Sequence, residues 1–277
     1  MSSNKLPVQT VFILSISSDI GRALAGRYLR DGCTVVGTYR RIDILEDLMG
    51  QPGLYLFPCD VKDPGSVKSV IEKYHRLSLP WGMFISCVGT LEPIGDFFST
   101  EFDAWERSVI INSTAQLRVL HALYPYRRKG QVSHAVFFAG GGTNNPFPNY
   151  SAYCVSKIML MKMCELLDNE CSDLNAFIVG PGWTRTKMHK QTINNAENAG
   201  MNYKRTREFM EAGGNNGTSM DDIYDCIQWL AKQGKTIAGG RNFSVRHDHW
   251  RGEEAYNLTQ SLVSDPDLFK LRRYRHP

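Results

Sequence analysis

The sequence has no apolar run long enough to cross a bilayer, so a membrane-spanning role is not expected. It has little excess charge: +4 over 277 residues, with basic and acidic side chains interleaved. That balance fits a solvated surface and gives no basis for nucleic-acid or membrane partners. It has no cysteine pattern either. The seven cysteines are scattered, none in CxxC, and most lie in apolar runs. Such a set reads as buried free thiols in a reducing compartment. The segment from Met1 to Pro7 is polar and short and does not read as a signal peptide. A cytoplasmic location is therefore expected. No internal repeat, low-complexity segment or clear linker is present. The hydrophobic fraction of 42% does allow a sizeable core, in one α/β domain or two small ones.

The organising pattern is alternation. Short apolar runs at residues 11–14, 34–39, 54–57, 83–88, 135–139 and 176–179 predict buried strands. Helical spacing predicts helices over 20–29, 42–49, 66–74, 102–123 and 151–169. Strands separated by helices imply right-handed crossovers and a parallel sheet covered on both faces. The expected fold is α/β: a doubly wound, Rossmann-type parallel sheet forming one domain over residues 1–277. Residues 187–217 are rich in Asn, Gly and Met, with one predicted helix near 203–211. They follow the sixth strand, beyond the carboxyl ends where ligands bind, and are expected to form a substrate lid. A helix over 220–232 and a last strand over 242–245 follow. The tail, 246–277, ends in an aromatic and basic mixture that caps the site, joins a subunit or stands in solvent.

Tyr153 and Lys157 sit four residues apart and share one helix face. An ammonium beside a phenol favours phenolate and brings its proton exchange nearer neutral pH. A nucleotide site needs a tight turn between the first strand and helix, whose N–H groups bind pyrophosphate. Residues 14–21 occupy that place, with Gly21 the only glycine and with Ser17 and Ser18 as extra phosphate donors. Asp19 is awkward beside pyrophosphate and is expected to point away or to cap the helix. The second strand ends at Tyr39-Arg40-Arg41, with no acid to take ribose hydroxyls. Two arginines suit a 2′-phosphate, so NADP(H) is expected. Asp60 is placed to meet adenine, and Ser86-Cys87-Val88-Gly89 to line the far side of the nucleotide.

Taken together these residues resemble the short-chain dehydrogenase/reductase superfamily, in its single-domain branch. The turn ending Ile20-Gly21, Cys59-Asp60-Val61, Gly89, Asn112, Tyr153 with Lys157, and Pro181-Gly182 with Thr186 occur in the family's order. The resemblance implies that Tyr153 is the general acid or base on a carbonyl or hydroxyl. Lys157 would lower its pKa and bind the nicotinamide ribose. Asn112 would hold a water linking Lys157 to solvent. Ser15, Val61, Val88, Thr184 and Thr186 would complete the cofactor contacts. A homodimer or homotetramer is expected, paired through the helices near 102–123 and 151–169.

One group is missing. The family places a serine at the end of the fifth strand, to hydrogen-bond the reacting oxygen. Here that place falls on Ala139 or Gly140. Three readings stay open: Thr143 supplies the hydroxyl, the backbone N–H groups of Gly140 to Gly142 polarise the oxygen, or the protein binds without efficient turnover. Gly140-Gly141-Gly142-Thr143, Pro148-Asn149-Tyr150-Ser151-Ala152-Tyr153 and the tail from Asp248-His249-Trp250 through Leu271-Arg272-Arg273 carry a narrower resemblance, to reductases of surface-polysaccharide and nucleotide-sugar pathways, which implies a small sugar-like or nucleotide-sugar substrate. Arg185, Lys187, His189 and Lys190 would then meet a phosphate. The alternatives are an epimerase or dehydratase of the same superfamily, or a silent dinucleotide-binding protein. His247 and His249 flank Asp248 without a third ligand cluster, so no metal is expected.

Overall fold

The computed structural model describes residues 10–213 and 216–273. Seven strands form one sheet in which every paired neighbour is parallel. They are β1 (Thr10–Leu14), β2 (Thr34–Tyr39), β3 (Leu54–Pro58), β4 (Met83–Ser86), β5 (Ser133–Phe138), β6 (Leu174–Gly180) and β7 (Asn242–Ser244), in the order β3-β2-β1-β4-β5-β6-β7. β1, β4 and β5 are buried along their whole length, which is why they read as unbroken apolar runs.

Alternate side chains of the strands feed two cores. On one face Val11, Ile13, Met83, Ile85 and Val136 pack against α1 (Asp19–Arg30) and a later helix over residues 220–233. On the other, Phe12, Leu14, Phe84, Ala135 and Phe137 pack against α2 (Pro64–Arg76). The same core takes residues 114–123 and 151–170. The order reverses between β1 and β4, leaving a crevice beyond their carboxyl ends.

The structure departs from the sequence expectations at four places. Residues 42–49 form a single tight turn at Asp43–Leu45 instead of a helix. Only Leu45 and Leu48 are buried there, too small an apolar face to hold a short isolated helix. The long helix over 102–123 is two helices, α3 (Phe102–Asn112) and α4 (Thr114–Leu123), broken at Ser113 with φ −136° and ψ −84°. After α5 (Ser151–Glu170), the lid region holds three helices instead of one: α6 (His189–Asn194), α7 (Ala196–Ala199) and α8 (Met201–Glu211). Beyond α9 (Met220–Gln233) and α10 (Lys235–Ala238), the tail carries an unforeseen helix, α11 (Glu254–Ser264).

Arg241 fastens that tail. It is buried, and its guanidinium donates to the carbonyls of Thr236, Ile237, Leu262 and Leu268 at 2.8–3.0 Å. No helix among the described residues is long and apolar enough to cross a membrane.

Candidate active site

The turn after β1 is built for close backbone approach. Ser15 adopts φ +64°, a backbone region that favours glycine. Its N–H donates to Thr38 Oγ1 at 3.0 Å. Ser18 caps α1 by accepting from the Gly21 N–H at 3.0 Å. A methyl group at Gly21 would stand 2.6 Å from the Ser15 carbonyl oxygen, so this position tolerates only glycine. The start of α1 therefore faces the switch-point crevice with its dipole and N–H groups, the chemistry a pyrophosphate needs. Ile20 packs against the core below, and Ser17 stays half-buried at the turn. A dinucleotide fits this turn.

Asp19 does not cap the helix, a part that Ser18 takes, and its partner was not foreseen. Its carboxylate accepts from the Lys187 N–H at 2.7 Å, and Lys187 Nζ donates to the Ser17 carbonyl at 2.6 Å. The first residue of the lid is thus strapped to the nucleotide turn. The other expected phosphate readers are also committed inward. Arg185 donates to the carbonyls of Phe209, Met210 and Gly213, closing the end of α8. The His189 ring shares a hydrogen bond with the Thr184 carbonyl at 2.9 Å and stacks on Trp183. Lys190 is exposed. The structure therefore does not gather these four side chains into a phosphate site.

At the tip of β2, Tyr39 is half-buried and the two arginines differ. Arg41 is exposed and paired with Asp43 at 2.6 Å. Arg40 is exposed and has no ion pair or hydrogen bond among the described residues. Asp60 accepts from the Lys62 N–H at 3.0 Å, next to the buried Val61. Gly182 has φ +70°, and buried Thr184 folds its hydroxyl toward the Pro181 carbonyl at 3.4 Å, with Thr186 half-buried beyond it.

Tyr153 and Lys157 lie on the buried face of α5, 7% and 2% exposed. The Lys157 ammonium stands 5.6 Å from the centre of the Tyr153 ring. The expected lowering of the tyrosine pKa is reversed. Burial pushes the phenol well above its usual range, and Cys154 adds to this. Burial likewise pulls Lys157 down from 10.5 to about 8, partly opposed by Cys87. Both groups have been taken out of water, and desolvation disfavours the charged form of each. Cys87 itself is pushed up to about 12 by burial, against a hydrogen bond from Ser18 and the charge of Lys157.

The two positions after β5 differ in what they face. A methyl group at Gly140 would overlap the Tyr153 hydroxyl and ring. Ala139 is instead buried in the core beside Phe137. Gly140 is the position facing the phenol. Thr143 is half-buried, and its hydroxyl makes no hydrogen bond among the described residues. The N–H groups of Gly140, Gly141 and Gly142 also reach no acceptor among the described residues.

Asn112 ends α3, fully buried. Its side chain accepts from the Thr90 N–H and donates to the Thr90 carbonyl, both at 2.9 Å. It pins the loop that follows Val88 and Gly89. Sequence reasoning missed Gln116. This buried amide donates to the carbonyls of Asn112, Ile111 and Val88 at 2.8–3.3 Å and accepts from Ser86 at 2.6 Å. It satisfies the carbonyls that the break at Ser113 leaves open. A glutamine on the apolar side of α4 was its only sequence signal. Met188 was missed too: a methyl group at Gly89 would stand 2.9 Å from its Cε. Among the described residues no group of three His, Cys, Asp or Glu is arranged to hold a metal ion.

Residues 16–246 match the family model described as enoyl-(acyl carrier protein) reductase. The chain is 25% identical over 235 residues to the dehydrogenase/reductase SDR family protein 7-like of Drosophila melanogaster, covering 81% of this chain and 71% of that one. It is 25% identical over 240 residues to serine 3-dehydrogenase of Rhizobium radiobacter, covering 82% and 90%. Among solved structures, a short-chain dehydrogenase of Shigella flexneri in complex with NADP superposes with a TM-score of 0.70 at 21% identity, covering 86% and 97%.

Proposed function

The chain belongs to the short-chain dehydrogenase/reductase family of oxidoreductases, and on that premise we propose an NADP(H)-dependent enzyme acting on the carbonyl or hydroxyl of a small molecule. The observation that carries this reading is the pairing of Tyr153 and Lys157 on one buried helix face beside the glycine loop.

When bound, the nicotinamide gives or takes a hydride at its C4. The remaining chemistry belongs to this chain. In reduction, Tyr153 Oη donates its proton to the substrate oxygen as that oxygen gains negative charge. The raised pKa of the phenol keeps it protonated and ready to donate. Lys157, when charged, stabilises the phenolate left behind until solvent returns the proton. The N–H groups of Gly140 to Gly142 take the part of the absent serine hydroxyl and stabilise the developing oxyanion. Gly140 supports this over Thr143, because it is the position packed directly against the Tyr153 phenol. Gln116 and Asn112 hold the loop carrying Gly89 in place. Arg40 meets the 2′-phosphate; its freedom from ion pairs favours NADP(H) over NAD(H). A cytoplasmic homo-oligomer remains part of this reading.

The missing hydroxyl favours one second reading, a dinucleotide-binding protein without turnover. Two measurements separate them: calorimetric titration with NADPH and NADH, and NADPH oxidation over a panel of carbonyl compounds by the wild type and Tyr153→Phe. NADPH preference with Tyr153-dependent turnover is expected. Binding without turnover on any carbonyl supports the second reading, and no binding of either dinucleotide removes both.

A further inference from the structure

The loop after β4 and the start of α3 carry an aromatic surface that nothing in the chain covers. Phe97, Phe98, Phe102 and Trp105 form a chain of ring contacts with centroids 5.2–5.6 Å apart. Phe98 is 93% exposed, and Phe97 and Phe102 are exposed beside it. Residues 92–106 also hold five acids, Glu92, Asp96, Glu101, Asp103 and Glu106, and no Lys, Arg or His, in a chain of net charge +4. All five are exposed, and none has an ion pair among the described residues. Exposed rings grouped in this way mark an interaction surface. The acids call for a partner with cations, and aromatic faces also hold cations, arginine above all.

The chain contains a segment of that chemistry. From residue 269 onward Lys270, Arg272, Arg273 and Arg275 stand beside Phe269 and Tyr274, with no acid among them. Arg272 is anchored by Glu165, late in α5, and by Asp267, both at 2.7 Å. Arg273 is exposed and has no partner among the described residues. The aromatic surface is tied to the other end of the same helix, where Trp105 Nε1 donates to Ser151 Oγ at 2.9 Å. The step from Ser151 to Glu165 is close to four helical turns, so both ties lie on one line along α5, about 21 Å apart. Residues 273–277 span at most about 18 Å when fully extended. A copy's own segment therefore has no residue left to lie on its own patch. A second copy packed antiparallel across α5 reverses the line and sets each Arg272 end opposite a Trp105 end. Val155 and Met159, exposed between the two ties, supply the apolar contact for that pairing.

Resting on the homo-oligomer of the proposed function, we infer that residues 273–277 of a second copy dock on the surface of residues 97–105, with arginines against its rings and acids. The loop that bears this surface also bears Leu91 and Ile94, which pack with Tyr153. Each copy thereby fastens one wall of the other's candidate site.

The test places Phe98→Cys and Arg275→Cys together in the full chain and exposes it to mild oxidation. A disulfide between chains is expected on a non-reducing gel for the double variant and for neither single variant. Charge reversal gives a second measurement. Arg273→Glu with Arg275→Glu should weaken self-association at least about tenfold in sedimentation at low salt. Adding Asp103→Lys and Glu106→Lys to that chain should restore it. A disulfide formed within one chain overturns the inference. An oligomer that forms no such disulfide and ignores the charge reversals also overturns it, and leaves the pairing of α3 and α5 standing. A monomeric wild type overturns both.

Discussion

Gly140 and Tyr153 share one volume: any side chain on the glycine would occupy the place of the tyrosine hydroxyl. The glycine is therefore a seat for the phenol. Gly140→Ala is expected to displace Tyr153, costing about 1–3 kcal/mol of stability by overpacking. Turnover should fall at least about tenfold because the proton donor is misplaced. Thermal unfolding and NADPH oxidation measured on the same preparation check this. A rise in activity for Gly140→Ser would instead mark the position as a lost serine.

The tip of β2 separates two arginines that look alike in sequence. Arg40→Ala should weaken NADPH binding by about tenfold to a hundredfold, the loss of a charged hydrogen-bonding partner. NADH binding should not change. Arg41→Ala should do less, because Arg41 is held by Asp43. Calorimetry at fixed ionic strength is the measurement, since salt screens an exposed contact.

Lys157 is buried at a cost to the fold. Below its folded pKa of about 8, the charged form is present in both folded and unfolded chains, and the full cost of burying it applies. As pH rises from 8 toward 10.5 the folded chain loses that proton first, and the cost is relieved. Lys157→Met should therefore be more stable at pH 7 by about 3 kcal/mol. The gain should shrink to nothing near pH 10.5, and turnover should be lost throughout. Urea unfolding across pH 7 to 10 measures the slope.

The outer faces of α3 and α5 leave Phe102, Ile110, Val155, Met159 and Leu166 exposed. On each helix these residues fall at spacings that share one side. A second copy is the expected cover. The double substitution Val155→Glu with Met159→Glu should convert an oligomer to monomer in light scattering. A monomeric wild type would refute the pairing.

The sheet was legible because its central strands are buried on both faces and are written as short apolar runs, as at residues 83–86. Tyr153 and Lys157 were legible because helical spacing puts them on one face. What stayed hidden depends on distant partners. The break at Ser113 needs Gln116 to satisfy its carbonyls, and nothing local distinguishes that glutamine from a solvated one. The lid's helices are ended and fastened by Arg185, Gln191 and Asn202, which reach carbonyls and amides far off in sequence. The direction of the tyrosine pKa was misjudged for a related reason. Spacing reveals the neighbouring ammonium, while depth of burial becomes known only when the lid is placed over the phenol.

Lys187 bridges two events that a kinetic scheme would write separately. It is the first residue of the lid, and its ammonium rests on the Ser17 carbonyl of the nucleotide turn. On the proposed function, a dinucleotide entering that turn would meet this tie directly, while a substrate would reach Tyr153 only past the lid residues packed around it. Steady-state kinetics should accordingly be ordered, with the dinucleotide adding first and leaving last. Lys187→Ala should loosen that order toward random addition.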